Sequence, residues 1–161
     1  MTVEYRLATP AEAELVATLA FALTEEICER TNAKHFGIDL AGTIQRCGEL
    51  MLHGLYAAIL GWSQNRPIAV ATVTETYALY AGGKVGIIQE FYVAPELRSS
   101  SVGASLLSAV REYGETRNWS CIELCTPPLP EFERTVQFYM ANGLYPVGGR
   151  KMRQMLERVD A

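Results

Sequence analysis

Ile87-Ile88-Gln89-Glu90-Phe91-Tyr92-Val93-Ala94-Pro95-Glu96-Leu97-Arg98-Ser99-Ser100-Ser101-Val102-Gly103-Ala104-Ser105-Leu106-Leu107 reads as a strand, a loop and the start of a helix. Apolar and β-branched residues fill Ile87 to Val93 as a buried strand, and Pro95 ends that run. Ser99, Ser100 and Ser101 then precede Val102, Leu106, Leu107, Val110 and Tyr113, which fall on one helical face. A loop of small residues entering a helix aims free backbone N–H groups, and the positive end of the helix dipole, at one point. That geometry suits a phosphate. The blander reading is that the serines serve only as the N-cap of the helix.

Working outward, residues 3–7 read as a short strand, and Thr9-Pro10-Ala11-Glu12 as a capping box with proline at the first helical position. The helix that follows carries Leu15, Leu19, Ala22, Leu23 and Ile27 on one face and should end before Asn32. Thr31 to Ile38 is a loop containing His35, and a second helix begins at Asp39 and stops at Gly54. The period then changes. Leu55 to Trp62 and Ile68 to Tyr80 read as strands joined by the turn Gln64-Asn65-Arg66-Pro67, and Gly82-Gly83 turns the chain back into the opening stretch.

Beyond the helix at about 101–117, Ser120 to Thr126 is a strand with Ile122 and Leu124 inward. Pro127, Pro128 and Pro130 stiffen the connection to a helix through Phe138 and Tyr139, capped by Asn142 and Gly143. The tail from Tyr145 reads as a final strand pair around Gly148-Gly149. The order predicts a mixed α/β fold: one sheet of about six or seven strands flanked by helices, in a single domain spanning 1–161.

Apolar residues make up 49% and charged residues 20% of the 161, as expected for a globular chain long enough to bury a sizeable core. A net charge of -4 gives no basic footprint, so nucleic acid is not expected as a partner. Cys28, Cys47, Cys121 and Cys125 form no Cys-x-x-Cys and no Cys/His cluster, so no metal site is expected. Cys121 and Cys125 would stand about 13 Å apart on one strand face, too far to bridge, and are expected to be buried. With no signal peptide and no membrane-length apolar run, the expected setting is a reducing cytoplasm without a membrane partner. No Gly-Lys-Ser/Thr is present, which excludes a P-loop nucleotide enzyme.

Two blocks carry a resemblance. Glu90-Phe-Tyr-Val-Ala-Pro-Glu-Leu-Arg98 followed by Ser99 to Ala104 resembles the GNAT acetyltransferase loop Arg/Gln-x-x-Gly-x-Gly/Ala. Phe138-Tyr-Met-Ala-Asn-Gly-Leu144 looks like that superfamily's Phe-Tyr-x-x-x-Gly-Phe. The resemblance implies transfer of an acetyl group from acetyl-CoA to an amine, on a sheet splayed between its fourth and fifth strands. It also implies that Arg98, Ser99, Ser101, Val102, Gly103 and Ala104 contact the coenzyme's pyrophosphate, and Phe91 and Val93 its pantetheine. Tyr92, Ser100, Ser105, Thr135 and Phe138 complete the candidate cofactor set. The sequence departs from the pattern twice: Ser101 stands where the family has its first glycine, and Phe132 where it has an asparagine. If position 101 needed a positive φ, a serine there would cost roughly 1–2 kcal/mol.

Acetyl transfer requires a neutral amine, so a base must remove a proton, and an acid should meet the departing thiolate. Glu90 is the candidate base and is expected to share a face with Ile88 and Tyr92. Against it stands the reading of a solvated strand carboxylate. Tyr139 is the candidate acid, against the reading of a core tyrosine. Glu25, Glu26 and Glu75 are candidates for lining a cationic acceptor pocket, or simply solvated charges. Transfer is expected to be direct, with no covalent enzyme intermediate. The acceptor, a small-molecule or peptide amine, is set in this superfamily by residues 10–55, which carry no readable motif. A homodimer is among the assemblies the resemblance allows. The alternative to an enzyme, which Ser101 keeps open, is a catalytically weak or inactive GNAT-fold module that binds acyl-CoA as a sensor.

Overall fold

Long antiparallel strands follow where β-branched residues alternate across two turns. In the computed structural model, which describes residues 1–33 and 37–157, β2 (Ala57–Ser63), β3 (Arg66–Ala78) and β4 (Gly83–Val93) form a meander. β1 (Glu4–Leu7) lies antiparallel on the outer side of β2, and β5 (Cys121–Leu124) lies parallel to β4. The described sheet therefore has five strands in the order β1-β2-β3-β4-β5, one or two fewer than expected. The difference lies in the tail: residues 145–157 enter no ladder, and Tyr145, Val147, Met152, Met155 and Leu156 are exposed.

Four helices cover the two faces: α1 (Ala13–Thr31), α2 (Leu40–Leu52), α3 (Val102–Thr116) and α4 (Glu133–Ala141). Their ends obey the local chemistry. The Glu12 carboxylate accepts from the Thr9 N–H at 3.0 Å ahead of α1, and Asn32 closes α1 in the left-handed region at φ 52°. Asp39 caps α2 by accepting from the Gly42 N–H at 2.6 Å. The loop position His35 lies outside the described residues. α1 buries Ala13, Val16 and Ala17, whereas the expected stripe from Leu15 to Ile27 is only half covered. The helix meets the sheet with its first two turns and leans away further on.

Alternate residues of the strands feed two cores. Ile59, Ala69, Ala71, Val73, Ile88 and Val93 pack with Val102, Leu106, Leu107 and Val110 of α3. Ala58, Leu60 and Val70 pack on the other face with α1 and α2. At the lower end, Trp119 lies flat on Gly86 and Gly114, where an added Cβ would fall 2.1 and 2.4 Å from its ring, so both positions exclude a side chain. Among the described residues, no helix is long and apolar enough to cross a membrane.

Candidate active site

Parallel pairing of β4 with β5 stops early. It joins Val85 to Cys121 and ends with Ile88 opposite Leu124, while β4 runs on to Val93 paired with β3 only. The open angle beyond Ile88 is the expected splay. On one side of it Phe91, Phe138 and Tyr139 form an aromatic cluster, with ring centroids 5.9 Å apart (Phe91–Phe138), 5.8 Å (Phe91–Tyr139, edge-on) and 5.2 Å (Phe138–Tyr139). Tyr139 is buried, which pushes its phenol above the ordinary range.

β4 also contains an extra residue. Thr72 faces Glu90 but Val73 faces Ile88, so Gln89 is a bulge. The bulge breaks the alternation: Ile88 joins the α3-side core, whereas the Glu90 side chain points to the α1/α2 side with Tyr92. The expected common face for Glu90 and Tyr92 holds, but Ile88 is not on it. Simple alternation cannot anticipate a bulge.

Glu90 is held, not merely solvated. The Tyr56 hydroxyl donates to its carboxylate at 3.0 and 3.3 Å, and the Thr72 hydroxyl donates to the same group. Thr72, 1% exposed, in turn accepts from the Glu90 N–H at 3.0 Å, supplying the partner that the bulge would otherwise deny it. Burial, and then the neighbouring carboxylate, raise the Tyr56 phenol, so it remains a donor throughout the neutral range. The Cys47 thiol nearby is pushed up to about 11 by burial and by Glu90, which leaves it an inert core group. Tyr56 and Thr72 had not been marked by any motif; only the register across three strands brings them to Glu90.

The loop above the splay has Ser99 in the left-handed region at φ 65°, while Ser101 lies at φ -76° in the right-handed helical region. Position 101 therefore needs no glycine. Ser100, rather than Ser101, caps α3: its hydroxyl donates to the Leu97 carbonyl and accepts from the Val102 N–H at 3.4 Å. Gly103 and Ala104 stand in the first turn of α3, whose N–H groups have no intrahelical acceptor. Gly103 sits tightly under Phe138: a Cβ there would meet the ring at 3.1 and 3.2 Å, so the ring would have to give by a few tenths of an ångström. Ser105 already belongs to the helical ladder, its N–H donating to Ser101. Phe91 and Val93 line the α3 side, and Tyr92 lies on the opposite face beneath the Arg98 guanidinium.

Arg98 is engaged at every donor group. Its Nε donates to the Val93 carbonyl at 2.9 Å, and its two terminal nitrogens donate to Glu26 at 2.8 and 3.1 Å. Glu26 also pairs with Arg30 at 3.6 Å, and Arg30 stacks on Phe132 at 3.9 Å and donates to the Glu131 carbonyl. This chain of contacts ties α1, the loop and the start of α4 together around the splay, and gives Phe132 a packing role. Thr135 lies in the first turn of α4 and is half-buried.

Other expectations resolve away from the site. Glu75 binds Arg117, Lys84 and the Trp119 indole, so it is a structural hub at the far end of the sheet and not part of an acceptor pocket. Cys121 and Cys125 are exposed, not buried, because β5 is an edge strand that ends at Leu124. All four thiols are free, and among the described residues no three His, Cys, Asp or Glu side chains could hold a metal. The His53 ring binds the Glu49 carbonyl at the end of α2.

Comparison with known proteins agrees with this geometry. The acetyltransferase (GNAT) family matches residues 46–143, which include Glu90, the loop and α4 but not α1 or the tail. An uncharacterized N-acetyltransferase of Archaeoglobus fulgidus is 38% identical over 55 residues, 34% of this chain and 37% of that protein's own length. A structure of the aminoglycoside N-acetyltransferase AAC(6')-Iy in complex with CoA superposes with a TM-score of 0.78 at 15% identity, covering 96% of this chain and 95% of that one. A ribosomal-protein-alanine N-acetyltransferase from Brucella melitensis gives 0.69 at 15% identity, covering 95% and 100%.

Proposed function

The chain belongs to the acetyltransferase (GNAT) family, and we propose that it moves an acetyl group from acetyl-CoA directly to a primary amine of a small molecule or peptide. The observation that carries this reading is the bulge at Gln89. It turns a hydrogen-bonded carboxylate towards one side of an open splay, while the first turn of α3 offers N–H groups above it. The residues present fit the coenzyme: unpaired backbone donors for a pyrophosphate, and an apolar wall of Phe91 and Val93. Charge-assisted hydrogen bonds from such donors contribute about 1.5–3 kcal/mol each. Because Arg98 is committed to Glu26, the backbone rather than the guanidinium supplies most of this.

When bound, acetyl-CoA supplies the thioester whose carbonyl carbon accepts the amine. Glu90 takes a proton from the acceptor ammonium, directly or through water, so that nitrogen can form its bond to carbon; as the carbon–sulfur bond breaks, the nitrogen gives up its second proton to solvent and leaves as a neutral amide. Tyr56 and Thr72 orient the Glu90 carboxylate. Tyr139 keeps its proton because it is buried, and donates a hydrogen bond to the departing thiolate. A thiol is ordinarily more acidic than a phenol, so full proton transfer from Tyr139 is uphill and the thiolate takes its proton from solvent. The half-covered length of α1 is the side from which the acceptor enters.

The four free thiols support a reducing, cytoplasmic setting. The alternative of an inactive acyl-CoA-binding module drew on Ser101, and the right-handed φ there gives it no support. Incubation with acetyl-CoA and a panel of aminoglycosides, polyamines, amino acids and peptides, read by mass spectrometry, tests the proposal. At least one amine should be acetylated above the uncatalysed background. Saturable acetyl-CoA binding with no acetylated amine would identify the binding module instead.

A further inference from the structure

Ser99 sits at φ 65°, in a left-handed region that a residue with a side chain keeps only when its surroundings hold it there. That turn carries the chain from extended Arg98, at φ -70°, into helical Ser101, at φ -76°. It thereby sets where the first turn of α3 points. The residue just before it is clamped. The Arg98 Nε reaches back to the Val93 carbonyl at 2.9 Å, and its two terminal nitrogens meet both carboxylate oxygens of Glu26 on α1. A single-point surface ion pair contributes little. A bidentate pair with a third hydrogen bond fixes the plane of the guanidinium, and so the backbone that carries it. Glu26 is itself steadied by Arg30, 3.6 Å away.

We infer, on the acetyl-CoA reading above, that Glu26 is a positioning residue for coenzyme binding: through Arg98 it holds Ser99 left-handed and keeps the first α3 turn aimed at the pyrophosphate. Arg98 is then a strut and not a phosphate ligand. Its guanidinium lies over Tyr92, 5.3 Å from the ring centroid, on the face opposite Phe91, Val93 and α3. The rival role for Glu26, merely withholding the guanidinium from the phosphate, predicts the opposite sign. Removing the carboxylate would then free a positive charge beside the pyrophosphate and tighten binding. With both oxygens taken by arginines, Glu26 also has no free acceptor for a cationic substrate. Glycine enters the left-handed region without steric cost, so Ser99→Gly should make the strut dispensable.

Calorimetric titration of the full chain with coenzyme A tests this. Glu26→Ala keeps a good helix former in α1 and should raise the Kd roughly five- to thirtyfold, the left-handed cost read as affinity. In the Ser99→Gly background the same substitution should change the Kd by less than about twofold. A loss of affinity that came only from a weakened α1 would be the same in both backgrounds. Arg98→Leu, which leaves α1 intact, should show the same loss and the same dependence on position 99. Equal losses in the two backgrounds, an unchanged Kd, or tighter binding by Glu26→Ala would each overturn the positioning role while leaving the acetyl-CoA reading in place. A wild-type chain that binds no coenzyme A at millimolar concentration would overturn that reading, and the role of Glu26 with it.

Discussion

Tyr56 shows how a single hydroxyl fixes the use of a carboxylate. Its two contacts to Glu90, at 3.0 and 3.3 Å, fix where that carboxylate points. Tyr56→Phe should therefore lower kcat by roughly tenfold, the effect of losing one hydrogen bond to a charged group. The KM for acetyl-CoA should stay unchanged, and an unaltered kcat would make Tyr56 a packing residue only. Glu90 itself was legible in the sequence, because it stands just before a loop of recognisable composition. Tyr56 and Thr72 were not: one precedes β2, the other lies inside β3, and only the bulge at Gln89 turns Glu90 towards them. The doubt over Ser101 was likewise local, and its φ of -76° removes it; the strained serine is Ser99.

Elements rather than residues set the coenzyme cleft. β4 outruns β5 by five residues, α3 starts above that gap, and α4 brings Phe138 against Gly103. In Gly103→Val the side chain must displace the Phe138 ring and with it the first turn of α3. Overpacking of this kind costs about 1–3 kcal/mol of stability. Calorimetric titration should show acetyl-CoA affinity reduced at least tenfold, whereas unchanged affinity would separate the turn from coenzyme binding. The start of α3, the end of α1 and the caps of α2 were readable from serine, asparagine and aspartate at their usual positions. The tail was misread as part of the chain's own sheet. Its paired glycines and spaced apolar residues suit strands, but that pattern does not say whether a strand edge lies within reach.

Over the whole molecule, the meander of three strands and the order of the helices were legible, because period and turn residues change together at each junction. Long-range ion pairs were not, since Glu75, Lys84, Arg117 and Trp119 meet only once β3, β4 and α3 have packed. Hydrogen bonds from Arg117, then Trp119 and Lys84, hold the Glu75 carboxyl down at about 2, against an ordinary 4.5. A carboxyl lowered by folding stabilises the native state above its unfolded value, and that stability is lost as pH falls from about 4.5 towards 2. Glu75→Gln should thus lower stability at pH 7 by about 1 kcal/mol, the partly exposed arginine limiting the effect. The difference from wild type should vanish in acid, and a gap independent of pH would assign the loss to packing.

In the proposed mechanism the fold joins a coenzyme cleft to a base held in place for acetyl transfer. Free-thiol release from acetyl-CoA, followed for wild type and Glu90→Gln with the best amine of the panel, tests it most directly. Wild type should release thiol only when amine is present, and Glu90→Gln should be roughly 100-fold slower or more, with the acetyl-CoA KM unaltered. Thiol release independent of amine in wild type, or equal rates in the two proteins, would contradict it.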